Sequence, residues 1–312
     1  MIDATKSSSK AEQLETLTDS YEVVIVSYFS CSQLRGFLDV VRPDQRIVLV
    51  DNASGADGAA ELLVGMPHAR VLDGQNSGYA RAANRGALSS NQKYVVFASP
   101  DTRPSPEIWD ALVADLREDS SLGSVAAATL DCSGHIELGV GGWEPTPWRV
   151  LVYAAALHRL IPQAGIVARP EIGDQIELGW ISGACLAVRR DVFADLGGFD
   201  ERYFVYNEDM ALGRALREAR YTQRLRTDLL VPHDAGASGP GRPLMAQQRG
   251  ASMGQYLRDH NRPVSATAML VMLTAGMSAR WAVAAGRRRR GIARQHAAYL
   301  RGLLTLRSPF GH

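Results

Sequence analysis

Short runs of consecutive apolar residues alternate with amphipathic segments in the first third of the chain. Residues 23–26, 47–50 and 94–97 are such runs, rich in Val, Ile and aromatic residues, as is typical of strands buried on both faces of a sheet. Apolar positions with helical spacing lie between these runs, at residues 32–41, 57–64 and 79–88. This alternation predicts an α/β fold, with a single, mostly parallel sheet flanked by crossover helices.

The next segments continue this pattern. Ser105-Pro106-Glu107 offers a helix cap, a proline at the first helical position and an acid in the first turn, so we expect a helix to begin there. Residues 124–130 are a further strand candidate, and residues 131–134 are a turn. We expect residues 180–189 to be extended and residues 208–219 to be helical.

Two regions depart from the alternation. Between residues 135 and 178 the sequence is rich in Gly, Pro and Trp, with one apolar helix candidate at 149–160, and we interpret it as a substrate-facing insertion. Residues 236–243 are a loop rich in Gly and Pro, after which we expect helices. The chain is therefore divided into a flexible lead-in at 1–20, a catalytic domain at 21–240 and a helical, basic extension at 241–312.

Composition narrows the class of protein. The 312 residues suffice for one large α/β domain with an appended helical region. Lys and Arg number 34 against 33 Asp and Glu, which gives no reason to expect a nucleic-acid partner. The three cysteines suit neither a zinc site nor a disulfide framework, and the first twenty residues lack the apolar core of a signal peptide. We therefore expect a cytoplasmic protein.

Polar residues follow the predicted strands, where open parallel sheets bind their ligands. Ser27 follows the first strand, Asp51 and Asn52 follow the second, and Ser99-Pro100-Asp101 follows the third. No glycine-rich loop follows the first strand, which argues against a dinucleotide-binding dehydrogenase and against a nucleotidyltransferase.

The carboxylates at these positions each have two interpretations. Asp51 either accepts a hydrogen bond from the imide of a uracil or thymine ring or merely shapes a turn. Asp101 either binds a divalent cation that bridges two phosphates, or belongs to the loop before a helix. Glu208 and Asp209 either favour a helix start or include a general base. His233 is either a metal ligand or a structural histidine.

The ordered set of motifs resembles the family 2 glycosyltransferases, which have a GT-A fold and mostly invert the anomeric centre. Each motif is weak alone, but their order over residues 21–240 is specific. The motifs are Val50-Asp51-Asn52-Ala53-Ser54, Asn76-Ser77-Gly78-Tyr79-Ala80 with Asn84-Arg85-Gly86, Ser99-Pro100-Asp101, Trp180-Ile181-Ser182-Gly183-Ala184, Gly197-Gly198-Phe199-Asp200-Glu201-Arg202-Tyr203-Phe204, Tyr206-Asn207-Glu208-Asp209 and His233.

This resemblance implies a role for each motif. Asp209 is implied to be the catalytic base, and Asp101 and His233 are implied to hold Mg²⁺ or Mn²⁺. The donor nucleotide is then bound by Ser27, Asp51, Asn52, Asn76, Gly78, Asn84 and Asp101. The sugar and the acceptor are bound by Trp180, Ser182, Gly183 and Glu208.

Some positions differ from the family pattern. Ser99 stands where family members commonly have Asp or Asn, Phe29 replaces the usual Asn after Tyr28, and Asp234 follows His233 where some relatives have a second His. The motifs from 197 to 209 look similar to those of bacterial rhamnosyltransferases that act on polyprenyl-diphosphate-linked sugars. The resemblance implies dTDP-rhamnose as donor and a lipid-linked hydroxyl as acceptor. A UDP- or GDP-sugar donor, or a non-catalytic sugar-nucleotide-binding protein, are the alternatives.

The C-terminal extension has its own pattern. Residues 264–279 are mostly apolar, and Arg287 to Arg290 form a basic run. We judge the apolar stretch too short to span a membrane. A surface-lying helix with a basic cluster would hold the protein at the inner face of the plasma membrane. The alternative is a helical tail packed on the catalytic domain or on a second subunit of a homodimer.

Overall fold

The computed structural model describes residues 20–234 and 242–310. Most of the predicted lead-in at 1–20 and of the predicted loop at 236–243 lies outside the described residues. Within them, eight strands form one central sheet in the order β3-β2-β1-β4-β9-β5-β10-β7, and β6 pairs with β8. The strands are β1 Tyr21–Ser27, β2 Ile47–Asp51, β3 Ala69–Asp73, β4 Tyr94–Ala98, β5 Leu122–Leu130, β6 Gly141–Gly142, β7 Gln175–Glu177, β8 Trp180–Ile181, β9 Cys185–Arg189 and β10 Thr222–Pro232.

Helices cover both faces of this sheet and continue as a C-terminal group. Short 3₁₀ helices occur at Ala59–Leu63, Leu157–Arg159 and Pro162–Ala164. The α-helices are α1 Cys31–Leu38, α2 Tyr79–Leu88, α3 Pro106–Glu118, α4 Pro147–Ala154, α5 Arg190–Asp195, α6 Glu208–Glu218, α7 Arg242–Asp259, α8 Pro263–Gly286 and α9 Arg290–Thr305.

The prediction of a mostly parallel, buried sheet is confirmed. Every residue of β2 and β4 is buried, because α2 covers one face and α1 and α3 cover the other. Leu34 and Trp109 pack on the second face, and Phe97 and Phe199 pack on the first. Among the sheet strands, β9 and β7 run antiparallel to their neighbours, and the others are parallel.

Several local predictions were wrong, each for a physical reason. Strand β3 was missed because it is the edge strand and is only partly buried, so it has no apolar run. Residues 57–64 contain a 3₁₀ helix instead of an α-helix. Residues 180–189 form two strands that pair with different partners, since Ser182 and Gly183 interrupt them. The helix predicted at 149–160 ends at Ala154.

The C-terminal helices share a core with the catalytic domain. Tyr256 of α7 and Leu273 of α8 belong to one buried cluster with Trp180, Tyr203 and Met210. This cluster lies beside the sheet and includes residues from α4, α6 and α9. The helical tail thus packs on the catalytic domain, as one of the two interpretations expected.

Helix α8 is longer than the sequence suggested. The apolar stretch was expected to end at Arg280, but the helix continues to Gly286 and has 24 residues. Arg280 is accommodated because its guanidinium donates to the Tyr153 carbonyl and stacks on the Tyr153 ring. By length and composition, α8 could cross a membrane, and only 22% of its most apolar window is buried within the protein. The judgement that this segment is too short is therefore corrected.

Candidate active site

Asp101 and His233 meet at the carboxyl end of the sheet. Asp101 follows β4 and His233 follows β10, and His233 Nε2 lies 3.3 Å from Asp101 Oδ1. The backbone holds the two loops together, since Asp234 N donates to Asp101 O at 2.9 Å. Two residues that are 132 positions apart in the sequence are thus brought together as predicted.

Glu137 completes this cluster and was not predicted. Its Oε2 lies 2.6 Å from His233 Nδ1 and accepts a hydrogen bond from Thr129 Oγ1 at 2.6 Å. Burial alone would lower the pKa of His233, but hydrogen bonds and negative charge from Asp101 and Glu137 outweigh it and raise the pKa to about 9. The turn at 131–134 was the available signal, because the hairpin after β5 folds Glu137 back onto Thr129.

The donor atoms fit a divalent cation that is only partly ligated by protein. Glu137 holds the imidazole from one side and leaves Nε2 facing the Asp101 carboxylate, as in histidine ligands that a second carboxylate orients. Among the residues that the structure describes, no group of three or more His, Cys, Asp or Glu side chains is arranged to hold a metal. A cation between Asp101 and His233 would therefore need further oxygen ligands, which phosphates can supply.

The second acidic pair begins helix α6. Tyr206 and Asn207 both have left-handed backbone conformations, with φ of 69° and 70°, each at a cost of about 1 kcal/mol or more for non-glycine residues. Glu208 is buried, and its Oε2 has no hydrogen-bond partner among the described residues. Asp209 is half-buried, and its Oδ1 accepts a hydrogen bond from Met210 N at 2.8 Å.

Burial controls the protonation of this pair. It raises the pKa of Asp209 to about 6. It raises the pKa of Glu208 well above the usual range, and the negative charge of Asp209 raises it further. At neutral pH Asp209 is therefore the carboxylate of the pair that is ready to accept a proton, and it does so more readily than an exposed aspartate.

Two tyrosines link the acidic pair to the rest of the site. Burial raises the pKa of Tyr206, the charge and hydrogen bond of Arg249 oppose this rise, and the negative charges of Glu208 and Asp101 add to it. Burial raises the pKa of Tyr79, and the negative charges of Glu208 and Asp209 raise it further. Both acidic clusters therefore lie close enough to the half-buried Tyr206 for their charges to act on it.

The segment from 182 to 184 borders the same region. Tyr79 Oη donates to the Gly183 carbonyl at 3.5 Å, and Ser99 N donates to the Ala184 carbonyl at 2.9 Å. Ser182 is half-buried, with its Oγ accepting from Ala184 N at 3.3 Å. Trp180 is placed differently, since it is buried and its Nε1 donates to the Ile166 carbonyl at 3.2 Å. Ser182 and Gly183 thus border the site, whereas Trp180 belongs to the core.

The predicted nucleoside residues are mostly occupied with loop structure. Both carboxylate oxygens of Asp51 accept backbone hydrogen bonds, from Ala53 N at 2.9 Å and Gly55 N at 2.7 Å. Asn52 donates to the Gly78 carbonyl at 3.2 Å, while its buried Oδ1 has no partner among the described residues. Asp51 therefore shapes the turn, and Asn52 retains a free acceptor.

The remaining predicted residues differ in exposure. Ser27 is fully buried, and its Oγ lies 2.8 Å from Ser30 Oγ. Asn84 is buried and clamps Phe199 through its backbone N and O, at 2.7 and 2.8 Å. Asn76 is exposed in a turn with φ of 49°. Ser27 and Asn84 thus stabilise neighbouring loops through buried hydrogen bonds, and Asn76 lies at the surface.

Gly78 permits a close contact with the loop before the acidic pair. Its φ is 90°, and a Cβ there would lie 2.7 Å from the Phe204 carbonyl. That carbonyl accepts a hydrogen bond from Tyr79 N at 2.6 Å. A side chain at position 78 would therefore separate α2 from the loop that carries Glu208 and Asp209.

The chain is similar in sequence to known proteins. A family model described as glycosyl transferase family 2 matches residues 22–153. N-acetylglucosaminyl-diphospho-decaprenol L-rhamnosyltransferase of Mycobacterium tuberculosis (strain ATCC 25618 / H37Rv) is 32% identical over 237 residues, which are 65% of this chain and 72% of that protein. O-antigen biosynthesis protein RfbC of Myxococcus xanthus is 28% identical over 147 residues, which are 44% of this chain and 10% of that protein.

Solved structures share the fold at low sequence identity. Mannosyltransferase PcManGT from Pyrobaculum calidifontis, in complex with GDP-Man and Mn²⁺, has a TM-score of 0.57 and is 16% identical, over 92% of this chain and 86% of that one. Glucosyl-3-phosphoglycerate synthase from Mycobacterium tuberculosis, in complex with Mn²⁺, UDP and phosphoglyceric acid, has a TM-score of 0.51 and is 16% identical, over 81% of this chain and 83% of that one. The predicted GT-A fold is confirmed.

Proposed function

This chain belongs to glycosyltransferase family 2, and from that premise we propose that it transfers a hexose from a nucleoside diphosphate to a hydroxyl of a lipid-linked sugar. The observation that carries the proposal is the placement of two acidic clusters close to Tyr206. One contains Asp101 and His233, and the other contains Glu208 and Asp209. A cation site and a proton acceptor are the two groups that this transfer needs.

We propose dTDP-rhamnose as the donor and a polyprenyl-diphosphate-linked sugar as the acceptor. The support is the 32% identity to a rhamnosyltransferase whose name states an N-acetylglucosaminyl-diphospho-decaprenol acceptor. The structural neighbours carry GDP-Man or UDP, and at 16% identity they support the fold alone. UDP- and GDP-sugars are therefore the donors to compare.

The proposed chemistry is a single displacement that inverts the anomeric centre. The oxygen of the acceptor hydroxyl forms a bond to the anomeric carbon while the bond from that carbon to the diphosphate oxygen breaks. Asp209 accepts the proton that this hydroxyl loses. Asp101 and His233 would hold Mg²⁺ or Mn²⁺, which supplies neutralisation of the negative charge on the departing diphosphate. Glu208 has one buried oxygen with no hydrogen-bond partner in residues 20–234 and 242–310, and it orients the acceptor hydroxyl.

We also propose that the helical extension holds the enzyme at the inner face of the plasma membrane. Large apolar side chains are exposed on this extension, including Val264 at 84% and Val271 at 62%. An open groove of about 720 Å³, lined mainly by apolar residues of α8, lies between α8 and Leu304 of α9. The run from Arg287 to Arg290 in the same extension is exposed, and its positive charge complements anionic lipid headgroups.

A thermal-shift panel of nucleotide sugars tests the donor. We expect dTDP-rhamnose with Mg²⁺ or Mn²⁺ to stabilise the protein, because a ligand at a hundred times its dissociation constant adds about 2.7 kcal/mol, which is several degrees in Tm. Rhamnose without the nucleotide is the control. A larger Tm shift with a UDP- or GDP-sugar would show that this sugar nucleotide, and not dTDP-rhamnose, is the donor. The absence of a Tm shift with every donor would contradict the proposed function. Binding without transfer would favour a non-catalytic protein.

A further inference from the structure

Arg249 of α7 lies over the aromatic ring of Tyr206, and both acidic clusters lie close to this tyrosine. Its guanidinium carbon is 4.5 Å from the centroid of the Tyr206 ring. The negative charges of Asp101 and Glu208 both reach the same tyrosine. The guanidinium therefore stands beside the region where a cation site and a proton acceptor flank the substrate.

The position of Arg249 is fixed by the packing of its helix. One turn further along α7, Ser252 Oγ donates to the Val205 carbonyl at 2.9 Å, and Met253 Sδ lies 3.9 Å from Asn207 Nδ2. Residues 249, 252 and 253 lie on one face of a helix because of their spacing. Helix α7 thus packs on the loop before the acidic pair, and this packing fixes the position of Arg249 relative to that loop.

Arg249 differs from the other arginines around this loop in its partners. Arg202 pairs with Asp200 and Asp259, and Arg214 pairs with Glu144 and Glu218. Within residues 20–234 and 242–310, no carboxylate forms an ion pair with Arg249, whose side chain is exposed. The guanidinium lies over the Tyr206 ring and also hydrogen-bonds that tyrosine, but a guanidinium carries five N–H donors, so donors remain for a second partner.

We propose that Arg249 binds a diphosphate in the active site, which rests on the function proposed above. Guanidinium groups bind phosphate oxygens through paired, charge-assisted hydrogen bonds, and both proposed substrates contain a diphosphate. Its place on Tyr206 lets Arg249 neutralise phosphate charge from α7, an element separate from the loops that carry Asp101 and His233. The diphosphate belongs either to the nucleotide donor or to the lipid-linked acceptor.

Isothermal titration of dTDP and UDP with Mn²⁺ separates these sources. The variants are Arg249→Gln and Arg249→Lys, and the control is Arg258→Gln, which removes another exposed arginine from the same helix. If the diphosphate is the donor's, Arg249→Gln weakens nucleotide binding about tenfold or more, and Lys restores part of it. If it is the acceptor's, nucleotide binding is unchanged and the KM for a polyprenyl-diphosphate sugar rises by a similar factor.

Two results distinguish the failure of this inference from the failure of the proposed function. If Arg249→Gln binds nucleotide and uses the acceptor as well as the wild type does, the proposed role of Arg249 is overturned and the proposed function stands. A wild-type protein that binds neither nucleotide and transfers no sugar would overturn the function on which it rests. A Tm for Arg249→Gln that equals the Tm of Arg258→Gln shows that both variants are folded.

Discussion

At the scale of single residues, burial gives neighbouring carboxyls different properties. Glu208 and Asp209 are adjacent in sequence. Glu208 is buried, and one of its oxygens has no partner in the part of the chain that the structure describes, whereas Asp209 is half-buried with a backbone hydrogen bond. The pKa of both groups is raised by burial. The sequence alone left open whether this pair only favours a helix start or includes a base, and the resemblance to the family implied Asp209 as the base. Burial explains how this residue can accept a proton near neutral pH.

Replacement of Asp209 tests its role as base. We expect Asp209→Asn to bind donor normally and to lower kcat by roughly 10²–10⁴-fold, because an amide cannot accept the proton. Since Asp209 must be ionised and its pKa is raised to about 6, wild-type kcat/KM should rise between pH 5 and 7. The variant should lose this inflection. Asp195→Asn, at an exposed position, is the control, and near-normal transfer by Asp209→Asn would refute the assignment.

At the scale of elements, the proposed cation site depends on a hairpin that the sequence described only in part. The strand 124–130 and the turn 131–134 were predicted, and β5 ends at Leu130 as expected. Glu137 was missed because it lies in the irregular region, where no periodicity indicates which side chains face the sheet. The partner that orients His233 is fixed by the return of this hairpin onto Thr129. Such tertiary proximity has no counterpart in local sequence.

Loss of the Glu137 carboxylate should weaken the cation site without removing a proposed ligand. We expect Glu137→Gln to reduce Mn²⁺ affinity roughly 10–100-fold in the presence of dTDP, because the carboxylate no longer fixes the imidazole of His233. The measurement is a titration with Mn²⁺ followed by electron paramagnetic resonance. Glu171→Gln changes an exposed acid in the same irregular region and should leave the affinity unaltered. Equal affinity in the two variants would exclude an orienting role for Glu137.

At the scale of the whole molecule, the sequence predicted the sheet better than the arrangement of the C-terminal helices. Buried strands such as β2 and β4 have continuous apolar runs, so their positions were evident. Helix α8 is apolar on several sides, and the sequence could not show which side packs on α4 and which remains exposed. The structure shows that Met269 and Leu273 are buried while Val264 and Val271 are exposed.

The exposed side of the C-terminal helical extension should bind anionic membranes. We expect the wild-type protein to co-sediment with phosphatidylglycerol vesicles, and replacement of Arg287, Arg288 and Arg289 by Gln to weaken binding roughly tenfold or more, because each basic residue contributes about 1 kcal/mol near such a surface. Replacement of three exposed arginines elsewhere should have little effect, and these control positions are Arg35, Arg117 and Arg220. A wild-type homodimer that does not bind vesicles would contradict the membrane proposal, since a second subunit would then cover the apolar side.

The antiparallel strand β9 lies between β4 and β5, although it is synthesised after both. While a ribosome makes the segment that separates β5 from β9, which takes on the order of several seconds, the nascent polypeptide has two unpaired strand edges facing an empty position. Unpaired edges recruit other chains. Strand β5 also pairs with β10, so newly made protein should be most prone to aggregate until both Cys185–Arg189 and Thr222–Pro232 have emerged, and co-translational chaperones would be needed chiefly in that interval.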